Sequence, residues 1–223
     1  MVKSFPFVVF DFDGTLVKSA ICMTTCINKM FAELDRPLLK VDDVEAMVGE
    51  GIQVTIEKAM RKTGPVPQDL SKYIDRFKTL YYQQPVTETP LYPNAFSTLE
   101  KLASDGHVIA LCTNKTYDAT LRLCKGLNIA HFFKAIAGGD TYSVRKPNPE
   151  HLLRILDEIG GTPDRAVMIG DSINDIACAN AAKVCSIAVT YGYTKTPPNK
   201  LGATYLVDGL DEIPDALVNL ANQ

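Results

Sequence analysis

Six short apolar runs constrain the fold of this chain more than any other feature, because none of them alternates polar and apolar residues. A strand with one solvated face alternates, whereas a strand buried on both faces does not, so the runs predict a parallel sheet. Helical patterns lie between most of them, which predicts an α/β fold with a doubly wound, mostly parallel sheet. The runs cover residues 7–13, 108–114, 135–140, 166–172, 185–192 and 204–209.

One long segment interrupts this alternation directly after the first run. Between about Lys18 and Gln84 the sequence shows amphipathic helical patterns and no strand pattern, with breaks at TGPVPQ and PVTETPLYP. Insertion at a loop tip is well tolerated. We therefore expect an all-helical cap domain at residues 17–86, inserted into a core domain made of residues 1–16 and 87–223.

Composition narrows the choice of partners. The formal net charge of −3 gives no broad basic surface for nucleic acid or an anionic membrane. No apolar stretch is long enough to span a bilayer, and no signal-peptide pattern occurs. The six cysteines form no CxxC pair, which indicates structural thiols in a reducing cytoplasm rather than a zinc site. Monomer and homodimer both stay open.

Reactive side chains follow several predicted strands, at the edge where open α/β sheets bind ligands. Carboxylates held together there repel one another unless a cation lies among them, and Mg²⁺ prefers oxygen ligands and often accompanies phosphate. A carboxylate can attack phosphorus while a second carboxyl group protonates the leaving oxygen. A hydroxyl and a lysine would stabilise the transferring phosphoryl group. The set comprises Asp11, Asp13, Thr113, Asn114, Lys146, Asp171 and Asp175.

Each motif also has a plainer interpretation when it is taken alone. The D-x-D-G-T sequence could be an Asx turn or part of a calcium loop. Lys146 could be a surface charge, and GDSIND could be a helix start with Ser172 as its N-cap. Their joint occurrence favours one shared site, with GDSIND serving both as a cap and as a source of ligands. None of the three histidines joins the set, so we expect no histidine chemistry.

The motifs DFDGT, TN, RKP and GDSIND, in this order, resemble the four motifs of the haloacid dehalogenase superfamily. The helical insertion after the first motif is similar to the cap of the C1 subgroup. Longer segments, among them GGDTYSVRKPNPEHLL and MIGDSINDIACANAAK, resemble phosphoglycolate phosphatases. This resemblance implies a Rossmann-like core, Mg²⁺ as cofactor and a small phosphate ester as substrate.

The resemblance also implies a role for each acidic residue and for the lysine. Asp11 would be the nucleophile and a Mg²⁺ ligand, and Asp13 the acid/base, with its backbone carbonyl on the metal. Asp171 would complete the protein ligands of Mg²⁺. Asp175 would bind a metal water or orient Lys146, whose charge faces the phosphoryl oxygens.

The resemblance also implies which hydroxyl and backbone groups would bind the phosphate. Thr113 and the backbone of Asn114 would hold phosphoryl oxygens, and Gly14 would allow a tight backbone turn close to the phosphate. Gly49 and Gly51 in VGEGIQ could be a simple break between cap helices. The resemblance implies instead that their loop reaches toward the substrate.

Asp13 separates the reactions known in the superfamily. Its carbon–halogen and phosphonate hydrolases lack an acid at this position, so Asp13 favours cleavage of a P–O bond. In its phosphomutases a β-branched aliphatic residue more often follows the glycine, so the resemblance implies that Thr15 favours water over a sugar as the phosphoryl acceptor. We expect a Mg²⁺-dependent phosphatase that forms an aspartyl-phosphate, with 2-phosphoglycolate as the leading substrate. A sugar phosphomutase, a pyrophosphatase and a phosphate-binding regulatory module without turnover are the alternatives.

Three positions depart from the family pattern. Lys18 stands where these phosphatases often carry an acid, and Asn94 and Lys183 stand where glycine is common. None belongs to the catalytic set, so these departures bear on the substrate rather than on the reaction.

Overall fold

Six parallel strands form the sheet of the computed structural model, which describes residues 5–222, in the order β3-β2-β1-β4-β5-β6. The six strands confirm the predicted α/β class. Residues 1–4 and 223, which the sequence assigns to the core domain, lie outside the described residues. The strands are β1 (Phe7–Phe10), β2 (Val108–Cys112), β3 (Phe133–Ala137), β4 (Ala166–Gly170), β5 (Cys185–Val189) and β6 (Tyr205–Val207).

Nine α-helices surround or extend from this sheet among the described residues. Short 3₁₀ turns at Val86–Glu88, Ala130–Phe132, Pro163–Arg165, Pro198–Lys200 and Leu210–Glu212 join the longer elements. The helices are α1 (Ala20–Ala32), α2 (Val41–Glu45), α3 (Ile52–Thr63), α4 (Ser71–Gln83), α5 (Ala95–Ser104), α6 (Tyr117–Gly126), α7 (Pro149–Glu158), α8 (Ile173–Ala181) and α9 (Ile213–Ala221).

Strand β1 lies in the middle of the sheet because both of its faces are apolar. Val8 and Phe10 belong to the core cluster that packs with α5, α6 and α9, whereas Val9 belongs to the cluster that packs with α7 and α8. Strands β2 and β4 flank β1, so the direction in which the chain winds reverses there. Such a reversal opens a crevice beyond the carboxyl ends of the strands, where ligands bind.

Helices α1 to α4 form a separate apolar cluster. Cys26, Ile27 and Phe31 of α1 are completely buried in it, together with Ile56 and Met60 of α3. The two chain segments that lead into and out of this helical region run side by side: Lys18 donates its N–H to the carbonyl of Pro90 at 2.8 Å. The boundaries at 16/17 and 86/87 stay a prediction.

The strands end earlier than the apolar runs suggest. We expected strand at 7–13, 108–114 and 166–172, whereas β1, β2 and β4 stop at Phe10, Cys112 and Gly170. After β1 the backbone turns sharply, with Gly14 at φ +86°, a conformation that strand pairing does not allow. The predicted site residues therefore lie on loops just beyond the strands.

Candidate active site

The loops that follow β1, β2 and β4 meet at one edge of the sheet and bring the predicted residues together. The N–H of Asp11 donates to the carbonyl of Ile169 at 2.8 Å, which extends the pairing of β1 with β4 by one residue. The N–H of Thr113 donates to the carbonyl of Ala137 at 2.9 Å, which extends the pairing of β2 with β3 in the same way. Because β1 pairs with β2 on one side and with β4 on the other, Asp11 lies between the loops that follow those two strands.

Lys146 lies at the centre of a buried ion network. Its Nζ donates to Oδ1 of Asp11 at 2.7 Å, to Oδ1 of Asp175 at 2.6 Å and to the carbonyl of Cys112 at 2.5 Å. Burial alone would lower the pKa of Lys146, but the charges of Asp11 and Asp175 outweigh it and raise this pKa above its usual range. The lysine is therefore charged at neutral pH.

Three buried carboxylates lie close enough to hold one metal ion. Asp11, Asp171 and Asp175 each offer an oxygen within 4.8 Å of the others. Burial and the charge of Asp175 raise the pKa of Asp11 to about 7, although Lys146 opposes the shift. Burial and both neighbouring carboxylates also raise the pKa of Asp171 well above its usual range. Lys146 balances only part of this charge, so the residues fit a divalent, oxygen-preferring cation such as Mg²⁺.

Asp171 is held in place from two directions. Thr15 donates its hydroxyl to Oδ1 at 3.1 Å, and the N–H of Tyr193 donates to Oδ2 at 2.7 Å. Gly14 passes so close that a Cβ on it would lie 2.6 Å from Oδ2 of Asp171. The glycine is therefore required both by its positive φ and by this close approach.

Asp175 shares its carboxylate between the helix start and the ion network. Its Oδ2 accepts from the N–H of Ser172 at 2.9 Å and from the Ser172 hydroxyl at 2.7 Å, while its Oδ1 contacts Lys146. A residue three positions after the cap that binds back to it is typical of a helix N-terminus. The structure therefore places GDSIND at the start of α8 and beside the site.

The side chain of Asp13 does not belong to the group of three clustered carboxylates. Both of its oxygens accept from Nζ of Lys115, at 3.1 and 3.2 Å. The metal contact suggested for Asp13 involves its backbone carbonyl and stays a prediction. Asp11 and Asp13, which follow the same strand, thus have different partners, and Asp13 is available on the cavity side.

Thr113 and Asn114 link the core loop to the helical region. Asn114 donates its Nδ2 to the carbonyl of Gly49 at 2.8 Å and to the carbonyl of Lys146 at 3.0 Å. Asn174 donates to the same Gly49 carbonyl at 3.3 Å. Gly49 therefore contacts the core as the loop interpretation requires. The phosphate-binding roles of Thr113, Asn114, Gly49 and Gly51 stay predictions.

A cavity that is partly open to solvent lies between the core loops and helices α1, α3 and α4. The core contributes polar groups to its wall, and the helical region contributes mostly apolar ones. Its lining includes Asp11, Asp13, Thr113, Asn114 and Lys115 from the core, and Met23, Gly49, Gly51, Ile52, Phe77, Lys78 and Tyr81 from the helical region.

Two residues that contact predicted site residues were not identified from the sequence. His151 is completely buried, accepts the N–H of Lys146 on Nδ1 at 3.2 Å and contacts the carbonyl of Gly138 through Nε2 at 3.1 Å. These contacts hold the backbone of Lys146 in place. Lys115, two residues after Thr113 in CTNKT, is the partner of Asp13. Nothing in its local sequence distinguishes it from a surface lysine.

Comparison with known proteins agrees with this arrangement. The family model described as haloacid dehalogenase-like hydrolase matches residues 8–189. The chain belongs to this family. Within the described residues, no helix combines the length and the apolar character that crossing a bilayer requires.

Relatives of this haloacid dehalogenase-like hydrolase cover nearly its whole length. A phosphoglycolate phosphatase of Agrobacterium fabrum is 36% identical over 214 residues, 95% of this chain and 92% of the relative. One of Rhodospirillum rubrum is 36% identical over 94% of this chain and 90% of the relative. The crystal structure of a "predicted phosphoglycolate phosphatase" from Haemophilus somnus superposes with a TM-score of 0.90, at 27% identity, over 95% of this chain and 97% of the other.

Proposed function

We propose that this protein is a Mg²⁺-dependent phosphatase of small phosphate monoesters, and that 2-phosphoglycolate is its leading substrate. One observation carries the proposal: Asp11 and Asp13 both line the cavity, but only Asp11 belongs to the carboxylate cluster that fits a metal ion. A nucleophile and an acid/base need this separation of surroundings. The names of the relatives from Agrobacterium fabrum and Rhodospirillum rubrum support the choice of substrate.

The proposed reaction has two steps. The Asp11 carboxylate attacks phosphorus in line, so that a bond forms between its oxygen and phosphorus while the bond to the ester oxygen breaks. Asp13 gives its proton to that leaving oxygen. In the second step Asp13 takes a proton from water, the water oxygen attacks phosphorus, and the bond to Asp11 breaks. Phosphate leaves, and both carboxyl groups return to their starting states.

The surrounding residues orient and neutralise these groups. Lys146 donates to Asp11 at 2.7 Å and limits its rotation. Thr113 offers a hydroxyl to the phosphoryl oxygens. Mg²⁺, which the side chains of Asp11 and Asp171 and the Asp13 carbonyl would hold with Asp175 beside them, would supply positive charge for those oxygens. Positioning and charge stabilisation supply most of the catalysis of phosphoryl transfer.

The cap at residues 17–86 restricts access by our proposal. The apolar side chains of Met23, Ile52 and Phe77 line the same cavity as the catalytic loops. Such a wall excludes bulk water from the reacting atoms and limits the size of the ester. The expected substrates are therefore small metabolites rather than phosphoproteins.

A kinetic panel of phosphate esters at fixed Mg²⁺, ranked by kcat/KM, tests the function. The panel includes 2-phosphoglycolate, a sugar phosphate, pyrophosphate and a generic aryl phosphate, each with and without Mg²⁺. We expect Mg²⁺-dependent turnover with 2-phosphoglycolate ranked first. No Mg²⁺-dependent turnover of any ester would refute the enzyme proposal and favour a binding module.

Two variants test the roles of the acids. Asp11→Asn should abolish turnover while circular dichroism stays that of the folded protein, and near-wild-type turnover would refute the nucleophile. Asp13→Asn should slow alkyl phosphates far more than aryl phosphates, because a good leaving group needs no proton. Equal losses on both kinds of ester would contradict the acid role.

A further inference from the structure

Lys115 carries a positive charge at the junction of the cap helices and the core. Its side chain is only 9% exposed. Nζ lies 3.1 and 3.2 Å from the two oxygens of Asp13 and 4.9 Å from the ring centre of Tyr81. Burial alone would lower the pKa of Lys115, but Asp13 outweighs it and raises this pKa above its usual range. The ammonium group is charged at neutral pH.

Structural stability gives little reason for this charge. A buried ion pair is often no more stabilising than apolar residues of the same volume, because both charges lose their hydration. The side chains that the helical region contributes to the same cavity are mostly apolar, among them Met23, Ile52 and Phe77. A cation retained at such a place is explained better by recognition of an anion than by folding.

The described residues that line the cavity include two that carry positive charge, Lys78 and Lys115. Lys78 is exposed and forms an ion pair with Asp75 at 3.7 Å on the same helix. Lys115 lies deeper and beside the reacting groups. Of the two lysines, Lys115 is therefore the one placed to bind an anionic substituent of an ester that lies at the reacting groups.

Geometry limits how far this substituent can lie from the reacting ester. Asp13 must contact the ester oxygen that it protonates, and it also contacts Nζ of Lys115. Two atoms that each lie within about 3 Å of one carboxylate oxygen are at most about 6 Å apart. The ammonium group has three N–H donors, so it can contact Asp13 and a further oxygen together.

We propose that Lys115 binds a second anionic group of the substrate, so that the enzyme prefers phosphate monoesters with a carboxylate one or two carbons from the ester oxygen. This proposal rests on the phosphatase function proposed above. A neutral ester of the same size finds no partner for Lys115, whereas a carboxylate does. A charge-assisted hydrogen bond in such a site corresponds to about a 10- to 100-fold gain in kcat/KM.

Two esters of similar size distinguish binding of the substrate carboxylate by Lys115 from an effect of Lys115 on Asp13. For the wild type we expect kcat/KM to be about 10- to 100-fold higher for 2-phosphoglycolate than for ethyl phosphate. In Lys115→Met this ratio should fall to within about 3-fold of one, mainly through a higher KM for 2-phosphoglycolate. Any effect on Asp13 slows both esters and cancels in the ratio. Lys115→Gln provides a second variant in case the first does not fold.

Lys78→Met is the matched control, because it removes the exposed charge of the same cavity. It should keep the wild-type ratio within about 3-fold. A Lys115→Met enzyme that loses activity equally on both esters would overturn the proposal, and so would a wild type without preference for the carboxylate ester.

Equilibrium binding keeps this result distinct from a failure of the proposed function. Asp11→Asn protein should bind 2-phosphoglycolate more tightly than ethyl phosphate in calorimetry, and adding Lys115→Met should remove the difference. Aryl phosphate turnover without any binding preference would refute the role of Lys115 alone. A binding preference without turnover of any ester would refute the phosphatase function and support Lys115.

Discussion

Replacing Lys146 by Met should remove a positive charge that contacts both Asp11 and Asp175. The lysine donates to these carboxylates at 2.7 and 2.6 Å, and its side chain is 1% exposed. Met has a similar length but no charge, so the carboxylates would remain buried and uncompensated. We expect a large loss of stability in the absence of metal.

The burial of this ion pair determines how much the free energy of unfolding should fall. Breaking a buried ion pair by removing one partner costs about 3–5 kcal/mol. The cost should grow as pH rises. Without Lys146 the pKa of Asp11, already raised to about 7, shifts further upward. The folded state then binds a proton that the unfolded state releases, and its stability falls through this pH range.

Urea denaturation in metal-free buffer measures the effect. With a slope of about 3 kcal/mol per molar urea, a loss of 3–5 kcal/mol moves the midpoint down by about 1–1.7 M. Added Mg²⁺ should restore more stability to Lys146→Met than to the wild type. Lys101→Met is the control, because Lys101 pairs with Asp105 on the surface at 2.6 Å and should cost under about 0.5 kcal/mol. Equal midpoints for Lys146→Met and the wild type would refute the reasoning.

Three further predictions concern other residues. Burial and the charge of Lys146 lower the pKa of His151 from 6.5 to about 4, so its neutral form stabilises the fold above about pH 6.5 and this contribution is lost as pH falls through 4. This contribution amounts to about 3 kcal/mol. The drop in the urea midpoint between pH 7 and pH 4 should therefore be smaller in His151→Gln than in the wild type. Equal drops in the two proteins would contradict the lowered pKa of His151. Lys183 follows α8 at φ +58°, where glycine is unstrained, so Lys183→Gly should raise the melting temperature by about 1–3 °C. Asn94→Gly should raise the melting temperature less, although Asn94 has φ +63°, because Asn tolerates this conformation and its Nδ2 donates to Asp211 at 2.9 Å. A larger rise for Asn94→Gly than for Lys183→Gly would contradict the argument.

Much of the fold could be predicted because apolar runs and helix-boundary residues are visible in short stretches of sequence. Strands β1 and β4 are continuous apolar runs, and the helices that cover them end at residues typical of helix boundaries. Motif order then places Asp11, Thr113 and Asp171 at one sheet edge, because parallel strands have their carboxyl ends on the same side.

The remaining features depend on contacts between distant segments. The pairing of Lys115 with Asp13 joins residues 102 positions apart, and no local pattern distinguishes it. His151 contacts the backbone of Lys146, which only the fold of that loop brings within reach. Helix α9 was not predicted, and the early ends of β1, β2 and β4 follow from turns that hydrophobicity alone does not reveal.

The contact of Gly49 with Asn114 and Asn174 bears on how such an enzyme can change its preference. The acceptor is a backbone carbonyl, which every amino acid carries, whereas both donors are side chains of the core. Replacing Val48, which lies beside it and lines the cavity, would therefore alter the cavity wall without deleting the contact. If this loop reaches the substrate as proposed, a library confined to it can search for new substrates while the core side chains keep the loop in place.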